Sequence, residues 1–307
     1  MDRTATIDEQ AAGGLLGARP ESRGARPIRT LRSLARWMRH YPLGAFGAIM
    51  VVIVLAVSAL GPTLVSFGPL EISGARLAGP DGTHLLGTDH FGRDVLARTV
   101  AGARISVVVA VTASFLALCI ALLLGVVGGY SGRWIDTAIG SFVNAIMSFP
   151  SLLLLMTVVA YTGPGVRNVA VILGILPGIR YSRVIRSAVL ALKGSQFVEA
   201  AQSMGATQLR VMVRHILPNT FGPAMVLVST VWGISILAES SLSFLGLGVP
   251  PPTPSWGGMI KEGRPFMELA PWTILPPSIT LGLTVFGLNM LGDSLRDSLD
   301  PRTRGQN

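Results

Sequence analysis

Long uncharged runs alternate along this chain with shorter polar segments, and the lengths of the runs set its class. Leu43 to Val65 carries no charged residue and exceeds the roughly 20 residues an α-helix needs to cross the hydrocarbon core. A second uncharged run, Ile105 to Gly132, predicts a span ending near Gly128, and a third span is predicted over Thr137–Tyr161. Asn168 to Ile179 is uncharged too, but only ~18 Å long at the helical rise. That fourth span must run on past Arg180 and Arg183, whose side chains snorkel or line a polar interior, with a bend at Pro177-Gly178. The fifth and sixth spans are predicted near Thr220–Leu245 and Trp272–Leu291. The pattern is that of an all-α membrane protein with six transmembrane helices.

Composition agrees. Half of the 307 residues are hydrophobic and only 13% are charged, against about 25% in a soluble domain. The single cysteine, Cys119, lies inside an apolar run, which excludes an internal disulfide and reads as an inert, buried thiol. A net charge of +9 raises the question of nucleic acid, but the basic residues are spread between spans rather than gathered on one domain. They read instead as loop charge that orients the spans. Eight Lys and Arg precede the first span, Arg133 follows the second, six lie from Arg180 to Arg214 and three after Leu295, against seven in the remaining segments. The positive-inside rule then places both termini and the 193–219 segment in the cytosol.

The ends carry their own signals. Residues 1–27 are rich in Arg, Ala, Gly and Pro without an apolar period, a mobile tail. In IRTLRSLARWMRHY, Ile28, Leu31, Leu34 and Met38 recur at helical spacing beside a stripe of Arg29, Arg32, Arg36 and Arg39. Such a helix lies flat on anionic membrane lipids. Val57-Ser58-Ala59 faintly resembles a signal-peptidase site, but the apolar stretch is too long and its leader too extended, so the first span reads as an uncleaved anchor.

The polar stretch EAAQSMGATQLRVMVRHILPN, 199–219, interrupts this pattern. It reads as two helices. The first, about Phe197 to Met204, starts after Ser195, a suitable N-cap. Gly205 supplies the freedom for a sharp turn. The second runs to Leu217 and stops at Pro218, which cannot continue the hydrogen-bond ladder. Leu209, Met212, Val213 and Ile216 fall at i, i+3, i+4 and i+7, an apolar face, with Arg210 and Arg214 on another side. So small a pair cannot bury that face alone; it needs the protein's own spans, lipid, or the groove of a partner.

Glu199-Ala200-Ala201, then Gly205, then Leu217-Pro218 resembles the EAA loop of the membrane subunits of ATP-binding-cassette (ABC) importers. Arg214 to Asn219, R-H-I-L-P-N, is similar to the peptide-transport branch, where the wider consensus has Ile at the position of His215. HLLGTDHFGRDVLARTVAGARIS (84–106), GYSGRWID (129–136), AESSLSFLGLGVPPPTPSWGGMI (238–260) and NMLGDSLRDSLDP (289–301) resemble the second permease subunit of the dipeptide, oligopeptide and nickel family. The resemblance covers roughly residues 40–301. It implies a type I importer transmembrane domain, a homologous permease beside it, two ATPase subunits that carry ATP and magnesium, and an extracytoplasmic substrate-binding protein. It implies no cofactor and no catalysis in this chain. It also divides the chain into a cytosolic Arg-rich tail (1–42), a first span (43–65), an extracytoplasmic loop (66–103), a five-helix transport domain (104–294) with its coupling loop at 196–218, and a cytosolic tail (295–307). On that resemblance Glu199 is expected to make polar contacts at the ATPase docking surface, Leu209, Met212, Val213 and Ile216 apolar ones, and Gly205 the bend. The cargo stays open between dipeptide, longer peptide, nickel chelate and other small solutes. Ser141 and Asn144 stand where the family often has Arg and Asp, a departure that bears on preference.

Other motifs are weaker. Gly87 to Asp94 imitates a phosphate loop, but Arg93 and Asp94 occupy the places of Lys and Ser/Thr, and no strand precedes it. Gly129-Tyr130-Ser131-Gly132 imitates an intramembrane serine protease site but has no histidine at its depth. His84 and His90 with Asp89 are a thin basis for a metal site. Glu239, at the end of an apolar span, must be paired or face water: it lines the pathway, meets a partner, or is a buried structural group. Asn144 and Asn289 line the cavity or tie helices together. Gly125-x-x-x-Gly129 and Gly174-x-x-x-Gly178 permit close helix approach, a spacing that glycine-rich spans also show by chance.

Overall fold

The structure, a computed structural model, describes residues 37–299. The amphipathic reading of 28–36 and the tail from residue 300 lie outside the described residues. Of the first unit, which ends at Pro42, residues 37–40 are helical and the Trp37 and Tyr41 rings meet at 5.8 Å.

In the main unit the helices are α1 (Pro42–Leu64), α2 (Val95–Tyr130), α3 (Arg133–Met147), α4 (Ser151–Thr162), α5 (Val166–Lys193), α6 (Gln196–Ser203), α7 (Gln208–Val211), α8 (Leu217–Asn219), α9 (Phe221–Leu245), α10 (Trp256–Gly263) and α11 (Leu275–Leu299). Among the described residues five helices are long and apolar enough to cross a membrane, and α3 with α4 makes a sixth span if the bent pair is counted as one.

Two of these depart from the hydropathy pattern. α2 begins ten residues ahead of its uncharged run. Asp94 caps it, its Oδ1 accepting from the Ala97 N–H at 2.7 Å, and Val95, Ala97 and Arg98 are buried, so packing extends a helix that hydropathy alone starts later. The third span is not one straight helix but two, bent by 86°. Pro150 lacks an N–H and disfavours the helical conformation at Phe149. α5, by contrast, runs through Pro177 as one helix.

α2 and α5 form the most extensive helix pair, and glycines set their distance. A Cβ on Gly125 would lie 2.6 Å from Ile185 Cβ, and one on Gly178 would lie 2.9 Å from Ile120 Cβ. Both small-residue motifs therefore sit in the seam, where van der Waals contact holds membrane helices together. Gly125→Leu is expected to split this pair, because overpacking costs about 1–3 kcal/mol even where neighbours can move. The check is the fraction surviving as a single size-exclusion peak in mild detergent, against Thr137→Leu on an exposed face as the control.

Two ends of the bundle can be told apart. At one, Tyr130 of α2, Val189 of α5 and Ala224 and Leu227 of α9 form a core with the 196–219 segment. At the other, α10 and the 66–94 segment close over the start of α2: Trp256 Nε1 donates to Thr99 O at 2.9 Å. α1 packs through Val51, Val54 and Val57 against Ile236 and Leu288, and the Trp232 indole N–H, 2.7 Å from Ser114 Oγ, ties α9 to α2.

Candidate functional site

The 196–219 segment turns on Gly205. α6 ends at Ser203 with Met204 as its C-cap, and Gly205 follows with φ +82°, the left-handed conformation that glycine alone adopts freely. The Gly205 N–H donates to Gln202 O at 2.9 Å and the Ala206 N–H to Ala201 O at 3.1 Å. This doubled closure is a Schellman end. Thr207 then caps the next helix through Oγ1, which accepts from the Arg210 N–H. Ser195 sits at the N-cap of α6, but its hydroxyl donates back to Leu192 O at 2.6 Å.

The second helix corrects its predicted phase and end. After α7 it widens into a π-turn at Met212–Ile216, with the Leu217 N–H donating to Met212 O, and continues as α8 to Asn219. Pro218 therefore does not stop it. The wider turn moves the carbonyl that a proline ring would strike in an α-helix, and the break comes at Thr220. The same widening re-phases the faces. Val211 and Ile216, five apart, are both fully buried in the core with Val198 and Ala201. Met212 is half-buried against that core. Leu209 and Val213, read as partners of Ile216 on one face, instead point away at 69% and 56% exposure. The pair thus sinks one face into its own spans and leaves another uncovered: Phe197, Glu199, Ala200, Met204, Leu209, Arg210, Val213, Arg214, Leu217 and Pro218 are all exposed.

Polar contacts fix the pair to the bundle. Gln202 Nε2 donates to the Tyr130 hydroxyl at 3.2 Å. Lys193 Nζ donates to Tyr130 O at 2.8 Å and lies 5.2 Å from the centre of its ring. Tyr130, from the motif that imitates a protease site, is a structural post here; nothing in its sequence context distinguishes it from an ordinary turn residue.

The candidate pathway residues do not converge. Asn144 is exposed on α3 and its Oδ1 accepts from Arg183 Nη2. Glu239 is fully buried, its Oε1 accepting from Ser243 Oγ at 2.7 Å and its Oε2 facing Ser240 Oγ at 3.4 Å. That arrangement gives it packing partners rather than open space. Asn289 is exposed on α11. None of the three lines the open cavity of about 650 Å³ on the inside of the α3–α4 elbow, whose walls include Met147, Phe149, Pro150, Leu176, Arg180 and Tyr181. Cys119 is exposed, not buried.

At the other end the polar loop is built around buried charge. Asp89 Oδ1 accepts from the N–H groups of Phe91 and Arg93 at 2.8 and 3.0 Å, and Oδ2 from Arg93 Nε at 2.6 Å. Glu262 Oε2 accepts from Arg93 at 3.1 Å and Arg98 at 2.9 Å. His84 Nδ1 lies 2.9 Å from Asp94 Oδ2 and its ring stacks on Phe67. The two histidines therefore serve different clusters. His90 does lie near Asp89 and Glu262, but those carboxylates already answer two arginines. Burial, outweighing the two carboxylates, holds the His90 imidazole below its usual pKa, which suits its stacking on Phe266. Asp81 is held low by the N–H groups of His84 and Thr83.

Residues 121–305 match the family model described as "binding-protein-dependent transport system inner membrane component". The chain is 38% identical over 274 residues to the dipeptide transport system permease protein DppC of Alkalihalophilus pseudofirmus, covering 89% of this chain and 90% of that one. It is 40% identical over 273 residues to a probable peptide ABC transporter permease of Sinorhizobium fredii, with 89% and 93% covered. The glutathione transport system permease protein GsiD of Escherichia coli is 41% identical over 227 residues, with 74% and 75% covered.

Proposed function

Because this chain belongs to the family of binding-protein-dependent transport system inner membrane components, we propose that it is one of two permeases of an ATP-driven peptide importer, powered through the uncovered face of α6–α8. Relatives named for dipeptide, peptide and glutathione transport support peptide cargo over nickel. One observation carries the powering route. A helix pair locked to its own spans on one side presents, on the other, large apolar side chains beside Arg210 and Arg214. That is the chemistry of a helix that docks in a partner's groove, and Glu199 supplies a carboxylate at its edge.

In this reading the pair lies in the cytosol with both termini, and each permease docks on one of two ATPase subunits that hold the ATP and magnesium. Closure of the ATPase dimer pushes on the exposed face. Because Val198, Ala201, Val211 and Ile216 are sunk among α2, α5 and α9, the push reaches those spans directly. They rock against the homologous permease and open the pathway to alternate sides, while the extracytoplasmic binding protein delivers cargo at the far end. Leu209 and Val213 meet the ATPase; Met212 and Ile216 transmit to the bundle.

The test is uptake of labelled dialanine into vesicles holding the complete assembly, with ATP enclosed or withheld. Uptake is expected only with enclosed ATP. Equal uptake without it overturns the proposal.

A further inference from the structure

α5 carries Arg180, Arg183 and Arg186 three residues apart, so successive guanidiniums lie on one side of the helix, each one turn further along. Two of them are answered by α3. Arg186 pairs with the Asp136 carboxylate, and Arg183 donates to the Asn144 amide oxygen. α3 then ends at Met147 and the chain turns away by 86°. At the level of Arg180 the elbow supplies Phe149, Pro150, Ser151 and apolar neighbours, with no carboxylate among them. Among the described residues Arg180 pairs with no acid.

Its position makes that absence consequential. Arg180 lies near the middle of the 28-residue α5, about 20 Å from either end at 1.5 Å per residue. It is exposed and sits in the wall of the elbow cavity of about 650 Å³ with Tyr181 beside it. An exposed cation at such depth is too costly to face lipid tails; it faces water or an anion. The cavity is otherwise mostly apolar, with a polar face of Ser151, Arg180 and Tyr181. One step towards Lys193, Arg183 meets an uncharged amide, so the positive field of the wall is only partly offset.

We infer that Arg180 is a specificity-determining residue of the translocation pathway, receiving a carboxylate of the passing cargo within the elbow cavity. The inference rests on the peptide reading above and deepens it: every unmodified peptide carries a terminal carboxylate, and the apolar walls of the cavity accept its side chains.

The experiment uses the complete assembly in vesicles with ATP enclosed and three labelled probes, dialanine, Ala-Glu and Ala-Lys, each normalised to its affinity for the binding protein. Arg180→Gln is expected to lower uptake of all three about tenfold, the effect of losing roughly 1.4 kcal/mol of charge contact. Arg180→Lys keeps most of it, and Arg180→Glu moves the ratio of Ala-Glu to Ala-Lys towards Ala-Lys. Four results overturn the inference while leaving the peptide reading intact. One is uptake by Arg180→Gln within twofold of the unaltered chain. Another is equal loss in the Gln and Lys variants with the assembly still co-purifying, which makes the residue a structural one. The third is a ratio unmoved in Arg180→Glu, which assigns the guanidinium to an acid of the partner permease. The fourth is a ratio moved towards Ala-Glu. If the unaltered assembly takes up none of the probes, the peptide reading itself falls and this inference falls with it.

Discussion

Gly205→Val abolishes ATP-driven uptake and recruitment of the ATPase, while the chain stays inserted and folded. Gly205 has φ +82°, and no atom lies within 4 Å of where a Cβ would stand. The penalty is therefore conformational rather than steric: about 1–2 kcal/mol for a left-handed L-residue, and more for a β-branched one. The segment escapes by unwinding its Schellman end, which re-aims α7 against α6 and dismantles the exposed face. The bundle core is left in place. Gly205→Asn, which tolerates this conformation, keeps a large part of the activity, and that contrast separates backbone geometry from loss of a contact. Leu209→Asp with Val213→Asp loses recruitment as completely, because both side chains point outward; Ile216→Asp instead unfolds the chain, because that side chain is fully buried. Co-purification of the ATPase with each variant, read beside its size-exclusion profile, decides the matter. An ATPase that still co-purifies with the double Asp variant removes the exposed face of 208–216 as its docking surface.

What could be read from the residues follows the range of the interaction involved. Spans are legible because burial in lipid needs only a local run of apolar residues, as from Leu43 to Val65. The elbow at Phe149-Pro150 carries a local signal, the missing proline N–H, yet the run on both sides is apolar, and hydropathy reads straight across it. The face of the second helix in the 196–219 segment is hidden from the sequence pattern for a subtler reason. A period of 3.6 joins Leu209, Met212, Val213 and Ile216, but the π-turn before Pro218 substitutes a spacing of five and pairs Val211 with Ile216. The sequence marks that change only by the proline itself. The glycine motifs are legible as spacing, but their use in the α2–α5 seam needs the partner helix to be known. Least legible are the ion pairs of Glu262 with Arg93 and Arg98, because their partners stand 169 and 164 residues apart. Arg180 is similar: its charge was plain, but only the elbow shows that α3 leaves it without an acid.

Asp89→Ala strongly destabilises the far end of the bundle. Asp89 is 6% exposed and its two oxygens serve four donors: the N–H groups of Phe91 and Arg93, Arg93 Nε and, at 3.4 Å, Arg98 Nε. Removing it leaves two buried guanidiniums with Glu262 as their shared acid. Breaking a buried pair from one side costs about 3–5 kcal/mol, since the remaining charge is left without compensation. For a chain of this size that corresponds to a fall in Tm on the order of 10 °C, measured by size-exclusion after heating. Arg98→Met in the same chain recovers part of the loss, because it withdraws the charge that Asp89 no longer answers; the same substitution in the unaltered chain destabilises. That reversal of sign is what separates electrostatic compensation from a loop that merely loses hydrogen bonds. A double variant no more stable than Asp89→Ala alone would leave the turn N–H groups, not the arginines, as the reason Asp89 is buried. Because Arg93 and Glu262 join the 66–94 segment to α10, loss of this cluster loosens the loop's hold on the bundle, leaving the Trp272 indole N–H on Thr88 O as a remaining tie.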